Sequence, residues 1–453
     1  MNILFVARHF TYFRNFESVI RLLAERGHAV HLAAERDEQL GGSAMVDELV
    51  HRYPAVTAGD APGREVDDWL PATSRLRLAY DYLRYLHPMF DGTPRLRSRA
   101  AERAPAFAVS FGDSRWSRWA PARRLVAGVL RQAEAALPPS PRIEAFLRQQ
   151  QPDVMLITPL VGVIESPQPD YVRAARRLGI PAALCVWSWD HLSSKALIRD
   201  MPDRVLVWND IQRDEALRLH GVPPERVVVT GAQCFDRWFD RTPSRSRGAF
   251  LAAAGLPADR PFVLYVGSAL FRGSPSEAAF ARQWIEAVRR SPDPRLHQAG
   301  ILVRPHPQRR AEWESEDLSA LPGVAVWGGN PVTEQARHDY FDALFHSAAV
   351  VGLNTSAFLE AGIAGRAVLA ILPPEFSDNQ EGTIHFHYLT TAGGGLLRTS
   401  RSLDSHVAPL SAAAGRSAEE GGRQTGAGAP PAGRTGRLAR RQAPAPRSMT
   451  FGL

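Results

Sequence analysis

At 453 residues, with 45% hydrophobic and 22% charged side chains, the chain has material for two ordinary domains with full cores, which excludes a disordered or fibrous protein. The formal net charge of +7 does not make it a nucleic-acid binder: seven arginines, no lysine and two glutamates lie between Ser411 and Leu453, leaving the other 410 residues an excess of only two. No stretch is long and apolar enough for a membrane-spanning helix, MNILFVARHF is too short for a secretory leader, and Cys185 and Cys234 read as reduced core residues, so a cytoplasmic protein is expected.

The first half reads as alternating strands and helices. Residues 2–7 form a strand, Asn15 to Arg26 a helix closed by Gly27, and Ala29 to Ala33 a second strand, a βαβ opening for a parallel sheet. The loop between them, which holds His9, lacks the G-x-G-x-x-G dinucleotide pattern. Residues 60–140 read as a helical insertion, with helices at Leu76–Tyr85 and Ala120–Leu137. Between Arg95 and Arg131 many arginines mix with Trp116 and Trp119. The reading adopted for that mixture is a solvated helical face with two core tryptophans. The alternative is a basic amphipathic surface on an anionic membrane. Regular order resumes at Pro141, with strands at Val154–Thr158, Ala182–Val186, Pro202–Trp208 and Val227–Thr230. The second of these four strands ends in WSWDHLSSK, a loop holding Asp190, His191 and Lys195, the only lysine in the chain. Asp236 to Arg247 is rich in Arg, Asp, Ser and Pro and reads as a hinge, so the first domain is set at residues 1–240.

The second domain, 241–410, starts with a helix, Arg247–Ala254, and the strand Phe262–Val266. The small residues Gly267 and Ser268 follow, where backbone N–H groups could approach a phosphate. The strand Gly300–Val303 ends in Arg304-Pro305-His306-Pro307, a cation and an imidazole where open α/β sheets bind ligands. The strand Ala349–Leu353 leads through Asn354, Thr355 and Ser356 into a helix, Ala357–Ala364. That is a capped N-terminus suited to an anion, with Glu360 one turn along and placed for sugar hydroxyls. After the strand Ala367–Leu372, the loop with Glu375, Gln380, Glu381 and His385 reads as a lid or sugar-contacting loop, or as an ordinary capped loop. From Ser411 onward Ala, Gly, Pro and Arg dominate without hydrophobic period. A disordered tail over 411–453 is expected, with the look of GC-rich sequence read out of frame and an activity weakened or lost.

The R-P-H-P turn followed by N-T-S-A-F-L-E-A-G-I-A-G-R-A-V-L resembles the nucleotide-binding half of GT-B glycosyltransferases, nearest the CDP-glycerol glycerophosphotransferases of bacterial surface-polysaccharide synthesis. The resemblance implies an α/β chain of two Rossmann-like parallel-sheet domains facing a cleft. It implies a transferase moving a glycosyl or glycerophosphoryl group from a nucleotide-activated donor to a polysaccharide or lipid-linked acceptor; peripheral contact at the inner face of the membrane follows only if the membrane-surface alternative for residues 95–131 holds. The WSWDHLSSKA stretch resembles that family's W-D-N-L-T-x-K-G segment, with His191 for Asn and Ala196 for Gly, and so points to Asp190 and Lys195. In GT-B enzymes the first loop tends to face the cleft, which adds His9 and Asn15. Catalysis is then expected from Asp190, His9 and Lys195. The donor is expected on Gly267, Ser268, Arg304, His306, Asn354, Thr355, Ser356, Glu360, Glu375, Gln380 and Glu381. No metal, cofactor or nucleic acid is implied. Two rival readings are a UDP-N-acetylglucosamine 2-epimerase, which shares the architecture, and a catalytically decayed binding protein.

Overall fold

The computed structural model describes residues 1–35, 41–63, 67–160, 166–331 and 333–423. The chain divides into two compact units, Met1–Cys234 and a second beginning at Phe235, a few residues before the expected boundary.

Strands of the first unit are β1 (Asn2–Ala7), β2 (Ala29–Ala34), β3 (Val56–Asp60), β4 (Val154–Thr158), β5 (Ala182–Cys185), β6 (Arg204–Val207) and β7 (Val227–Val229). They lie in the order β3-β2-β1-β4-β5-β6-β7, every pair parallel. The central strands are near-continuous apolar runs because helices cover both faces. The covering helices are α1 (Glu17–Glu25) and α2 (Gly42–Arg52), then, in the insertion, α3 (Leu70–Arg84), α4 (Pro94–Ala101), α5 (Ala106–Asp113) and α6 (Ala120–Ala136). Next come α7 (Pro141–Gln150), α8 (Gln168–Leu178), α9 (His191–Ser194) and α10 (Asp210–His220). The expected helix from Asn15 begins two residues later, because Phe10–Asn15 is a 3-10 turn that closes on Asn15. Strand β3 and helix α2 escaped the sequence reading. The strand is an edge whose Thr57, Ala58 and Asp60 face outward, so it carries no apolar signature.

A buried guanidinium anchors the insertion. Arg77 of α3 donates from Nε to Glu134 of α6 at 2.7 Å and in bidentate fashion to Asp170 of α8, at 3.0 Å each. Burial alone would lower its pKa, but the two carboxylates raise it. Insertion helices bury Tyr82, Leu83, Ala108 and Leu130 against one another. Trp116 and Trp119, expected in that core, are exposed instead.

In the second unit β8 (Phe262–Val266), β9 (Gly300–Arg304), β10 (Val324–Val326), β11 (Ala349–Gly352), β12 (Ala367–Ile371) and β13 (Arg398–Ser400) run in the order β10-β9-β8-β11-β12-β13, again all parallel. Its helices are α11 (Asp236–Phe239), α12 (Arg247–Ala254), α13 (Glu277–Arg289), α14 (Pro294–His297), α15 (Arg310–Glu314), α16 (Glu334–His346), α17 (Ala357–Ile363), α18 (Ile384–Thr391) and α19 (Leu403–Arg423).

Two sequence expectations change here. The Asp236–Arg247 stretch is no free hinge: Trp238 meets Tyr340 and Phe341, and Ser244 donates from its amide and hydroxyl to Asp342 at 2.8 and 2.7 Å. The tail is not disordered from Ser411. Leu403, His406, Val407, Leu410, Ala413 and Ala414 make one helical stripe, and α19 seats it on the second sheet with Leu410, Ala413 and Ala414 buried. Pro409 and the small side chains hid that period. Residues 424–453 of the expected tail lie outside the described residues. Among the described residues no helix is long and apolar enough to cross a membrane.

Candidate functional site

The second sheet reverses direction of build between β8 and β11, the switch point at which open α/β sheets hold ligands beyond their strand ends. The two strands approach closely: a Cβ on Gly352 would meet the Val266 carbonyl oxygen at 2.7 Å. At the end of the neighbouring β9, Arg304 is 7% exposed. Its Nη2 donates to the Gly329 carbonyl at 2.9 Å, and its guanidinium carbon lies 4.8 Å from the centre of the Tyr340 ring. Among the described residues its Nη1 has no hydrogen-bond partner. Burial lowers the pKa of Arg304, opposed by Tyr340, Asp339 and Glu360. The Tyr340 hydroxyl donates to Glu360 on α17. Arg304, Glu360 and the turn before α17 therefore share one edge of the sheet.

Sequence reasoning missed Tyr340 and Gly328. Tyr340 lies inside the helix α16, where nothing in the local sequence sets it apart. A Cβ on Gly328, which has φ +105°, would fall 1.8 Å from Nη1 of Arg304, so this glycine leaves the space the guanidinium fills. The G-G pair after β10 was the available signal.

Other expected donor residues are committed elsewhere. The Gly267 amide donates to the Arg304 carbonyl at 2.9 Å, and the Ser268 amide donates to the Glu277 carboxylate at 2.7 Å, so neither is open to a phosphate. Ser268 is fully buried. Its hydroxyl donates to Glu277 and accepts from the Asn354 amide, tying β8 to the turn after β11. Burial pushes the Glu277 carboxyl up to about 7, against the opposing hydrogen bonds from Ser268. Ser356 makes no capping bond. Thr355 does, accepting from the Ala357 amide at 3.3 Å, while Ser356 stays exposed. His306 caps a 3-10 turn by accepting from the Gln308 amide at 3.3 Å.

The expected lid is fastened down. Gln380 donates from Nε2 to the Leu353 and Ile371 carbonyls at 2.9 and 2.6 Å. Asn379 accepts from the Phe271 amide at 2.7 Å, and its backbone carbonyl accepts from Asn354. Glu381 pairs with Arg401, whose hydrogen bonds lower its pKa, and Glu375 is exposed. Gln380 and Glu381 thus hold the loop rather than a ligand.

In the first unit, two loops at strand ends come together. Tyr12 lies 4.5 Å from His9 and meets Trp187 edge-on at 5.0 Å between ring centres. Burial, with Arg8 and Arg14, pushes His9 down to about 4, so it is neutral at physiological pH. Asp190 accepts from Ser188 at 2.6 Å, Ser194 at 2.9 Å and Lys195 at 2.9 Å. His191 is buried beside Trp187.

The insertion grips this loop through its backbone. Arg84 donates to the Leu192 carbonyl at 2.7 Å and the Lys195 carbonyl at 2.6 Å, and the Tyr85 hydroxyl also reaches Lys195, at 2.8 Å. Arg99 donates to the Ser194 carbonyl, and Asp81 accepts from the Leu197 amide at 3.0 Å. Among the described residues no group of acidic, histidine or cysteine side chains could hold a metal.

No protein-family model and no curated protein matches the chain. Solved structures do. One, from Listeria monocytogenes, carries the provisional assignment of a UDP-N-acetylglucosamine 2-epimerase. It is 12% identical over 97% of this chain and 90% of that one, with a TM-score of 0.51. A glycosyltransferase from Rickettsia africae is 9% identical over 93% and 92%, also with a TM-score of 0.51. At these identities the likeness defines the fold. It is the GT-B type, two Rossmann-like parallel-sheet units.

Proposed function

We propose that the chain is a transferase using a nucleotide-activated donor, which the second unit binds. The observation that carries this reading is Arg304, a buried cation at the carboxyl edge of the sheet with one guanidinium nitrogen that has no hydrogen-bond partner among the described residues. A diphosphate supplies the missing acceptor. In a site shielded from water such a cation stabilises negative charge building on a leaving group far better than it would in solvent. Glu360, oriented by Tyr340, suits ribose hydroxyls, and the turn at Asn354, Thr355 and Ser356 with His306 borders the same edge. On the acceptor side the neutral His9 is the better proton acceptor. Asp190, already holding three donors, orders its loop together with Lys195. The transferred group is a glycosyl or glycerophosphoryl unit, and the acceptor a polysaccharide or a lipid-linked precursor. The glycosyltransferase from Rickettsia africae, alike in fold, is consistent with this reading.

Calorimetry with UDP, CDP and CDP-glycerol tests it, with Arg304→Ala as the control. Binding by the parent chain that weakens in the variant supports the assignment. Equal binding by both, or by neither, refutes it. Incubation with UDP-N-acetylglucosamine alone separates the epimerase reading, since a transferase without acceptor yields no 2-epimer. Donor binding with no turnover across acceptors marks a binding protein.

A further inference from the structure

The helical insertion of the first unit leaves large apolar side chains in water. Trp116 is 53% exposed, Trp119 57%, Leu125 70% and Val129 59%. The two indoles lie 6.2 Å apart, on the 3-10 turn Arg115–Arg118 and the residue after it, which leads into α6. Leu125 and Val129 are one turn apart on α6, whose other side buries Leu130 and Glu134. Single exposed hydrophobics need no explanation, but an indole pair running into an aliphatic stripe does.

The flanks of this surface are basic. The Arg115 guanidinium lies 5.1 Å from the Trp116 ring, and Arg118 and Arg124 are exposed. Nine arginines and only two acids fall between Arg95 and Arg131, a local excess of seven positive charges that equals the net charge of the whole chain.

We propose that this surface seats the protein on an anionic lipid bilayer, the indoles and the Leu125–Val129 stripe entering the interface and the arginines meeting headgroup phosphates. Indoles combine an apolar body with one polar N–H and settle at such boundaries. A basic rim around an apolar stripe is the chemistry of interfacial binding. A second copy of the chain is a poor occupant, because the same positive field would face itself. The proposal stands on this surface alone and does not depend on the donor assignment.

Cosedimentation of the full chain with vesicles tests it. Pelleting is expected with phosphatidylcholine vesicles containing phosphatidylglycerol, is absent with phosphatidylcholine alone, and weakens as salt rises. Replacing Arg115, Arg118 and Arg124 with Gln lowers the partition coefficient about fivefold per residue. W116S/W119S abolishes pelleting even at low salt. Both variants keep the parent melting temperature, since every altered side chain is at the surface. Equal pelleting with neutral and anionic vesicles, no pelleting at low salt, or pelleting that both variants retain overturns the proposal. So does a concentration-dependent dimer in light scattering that W116S/W119S removes while vesicles are ignored. Failure of donor calorimetry leaves all these outcomes readable.

Discussion

Arg304 and the Asp190–Lys195 loop are held in opposite ways. Arg304 stands on a strand of the second sheet, is pressed against Tyr340 and the Gly328–Gly329 turn, and keeps one donor without a partner among the described residues. The Asp190–Lys195 loop stands past the end of β5 and is gripped from outside, by side chains of the insertion on its carbonyls at 192, 194 and 195. In one region the fold positions a charge by packing a ring and a glycine turn around it. In the other, added helices position a backbone whose charges already satisfy each other. The first arrangement suits the donor site proposed above, and the second holds a loop in place.

The contrast can be broken at several points. Removing Arg77 attacks the gripping side hardest. Arg77→Ala leaves Asp170 and Glu134 as buried carboxylates without their cation, so urea unfolding should show a loss of about 3–5 kcal/mol. On the other side, Arg304→Ala should raise the Kd of a nucleotide donor by ~30-fold or more, a loss of about 2–4 kcal/mol, with little change in melting temperature.

The two regions also respond to pH in opposite directions. Glu277, which holds the Ser268 turn, has a folded pKa raised to about 7 from 4.5. The unfolded chain therefore ionises it first, and stability declines as pH rises from 4.5 to 7, by on the order of 2–3 kcal/mol. Glu277→Gln should flatten that slope in denaturation curves taken across the range. His9, lowered from 6.5 to about 4, works the other way: stability present above pH 6.5 is lost as pH falls toward 4. His9→Asn should remove that loss, and a slope unchanged in the variant would disprove the burial of a neutral imidazole.

Smaller effects sharpen the picture. Arg84→Ala frees the carbonyls at Leu192 and Lys195, and should lower kcat about tenfold while the donor Kd stays put. Arg84→Lys, with a single ammonium, should restore only part of it. Gly328→Ala puts a methyl where Nη1 of Arg304 lies, and should weaken donor binding by roughly tenfold with a modest cost in stability.

The sheets were legible because buried parallel strands announce themselves as apolar runs ended by turns, and Ala349–Gly352 and Gly300–Arg304 do so plainly. Arg304 and Glu360 were legible because their placement follows from strand end and helix turn. What stayed hidden depended on partners distant in sequence. Nothing in the local sequence says that Ser268 faces Glu277, or that Gln380 faces the carbonyls at 353 and 371. Trp116 and Trp119 misled for a related reason, since composition says how apolar a residue is but not whether the fold has a neighbour for it. The edge strands β3 and β13 were missed because they carry little apolar content to read.

Lys195 offers a consequence of its own. It is the only lysine in the chain, 19% exposed, and bound to Asp190 at the centre of the gripped loop. Apart from the amino terminus, an acylating reagent has a single address in the whole protein. Mass spectrometry of that one adduct would report how accessible the loop is, and an acceptor that shields the ammonium would register as a slower labelling rate without any engineered probe.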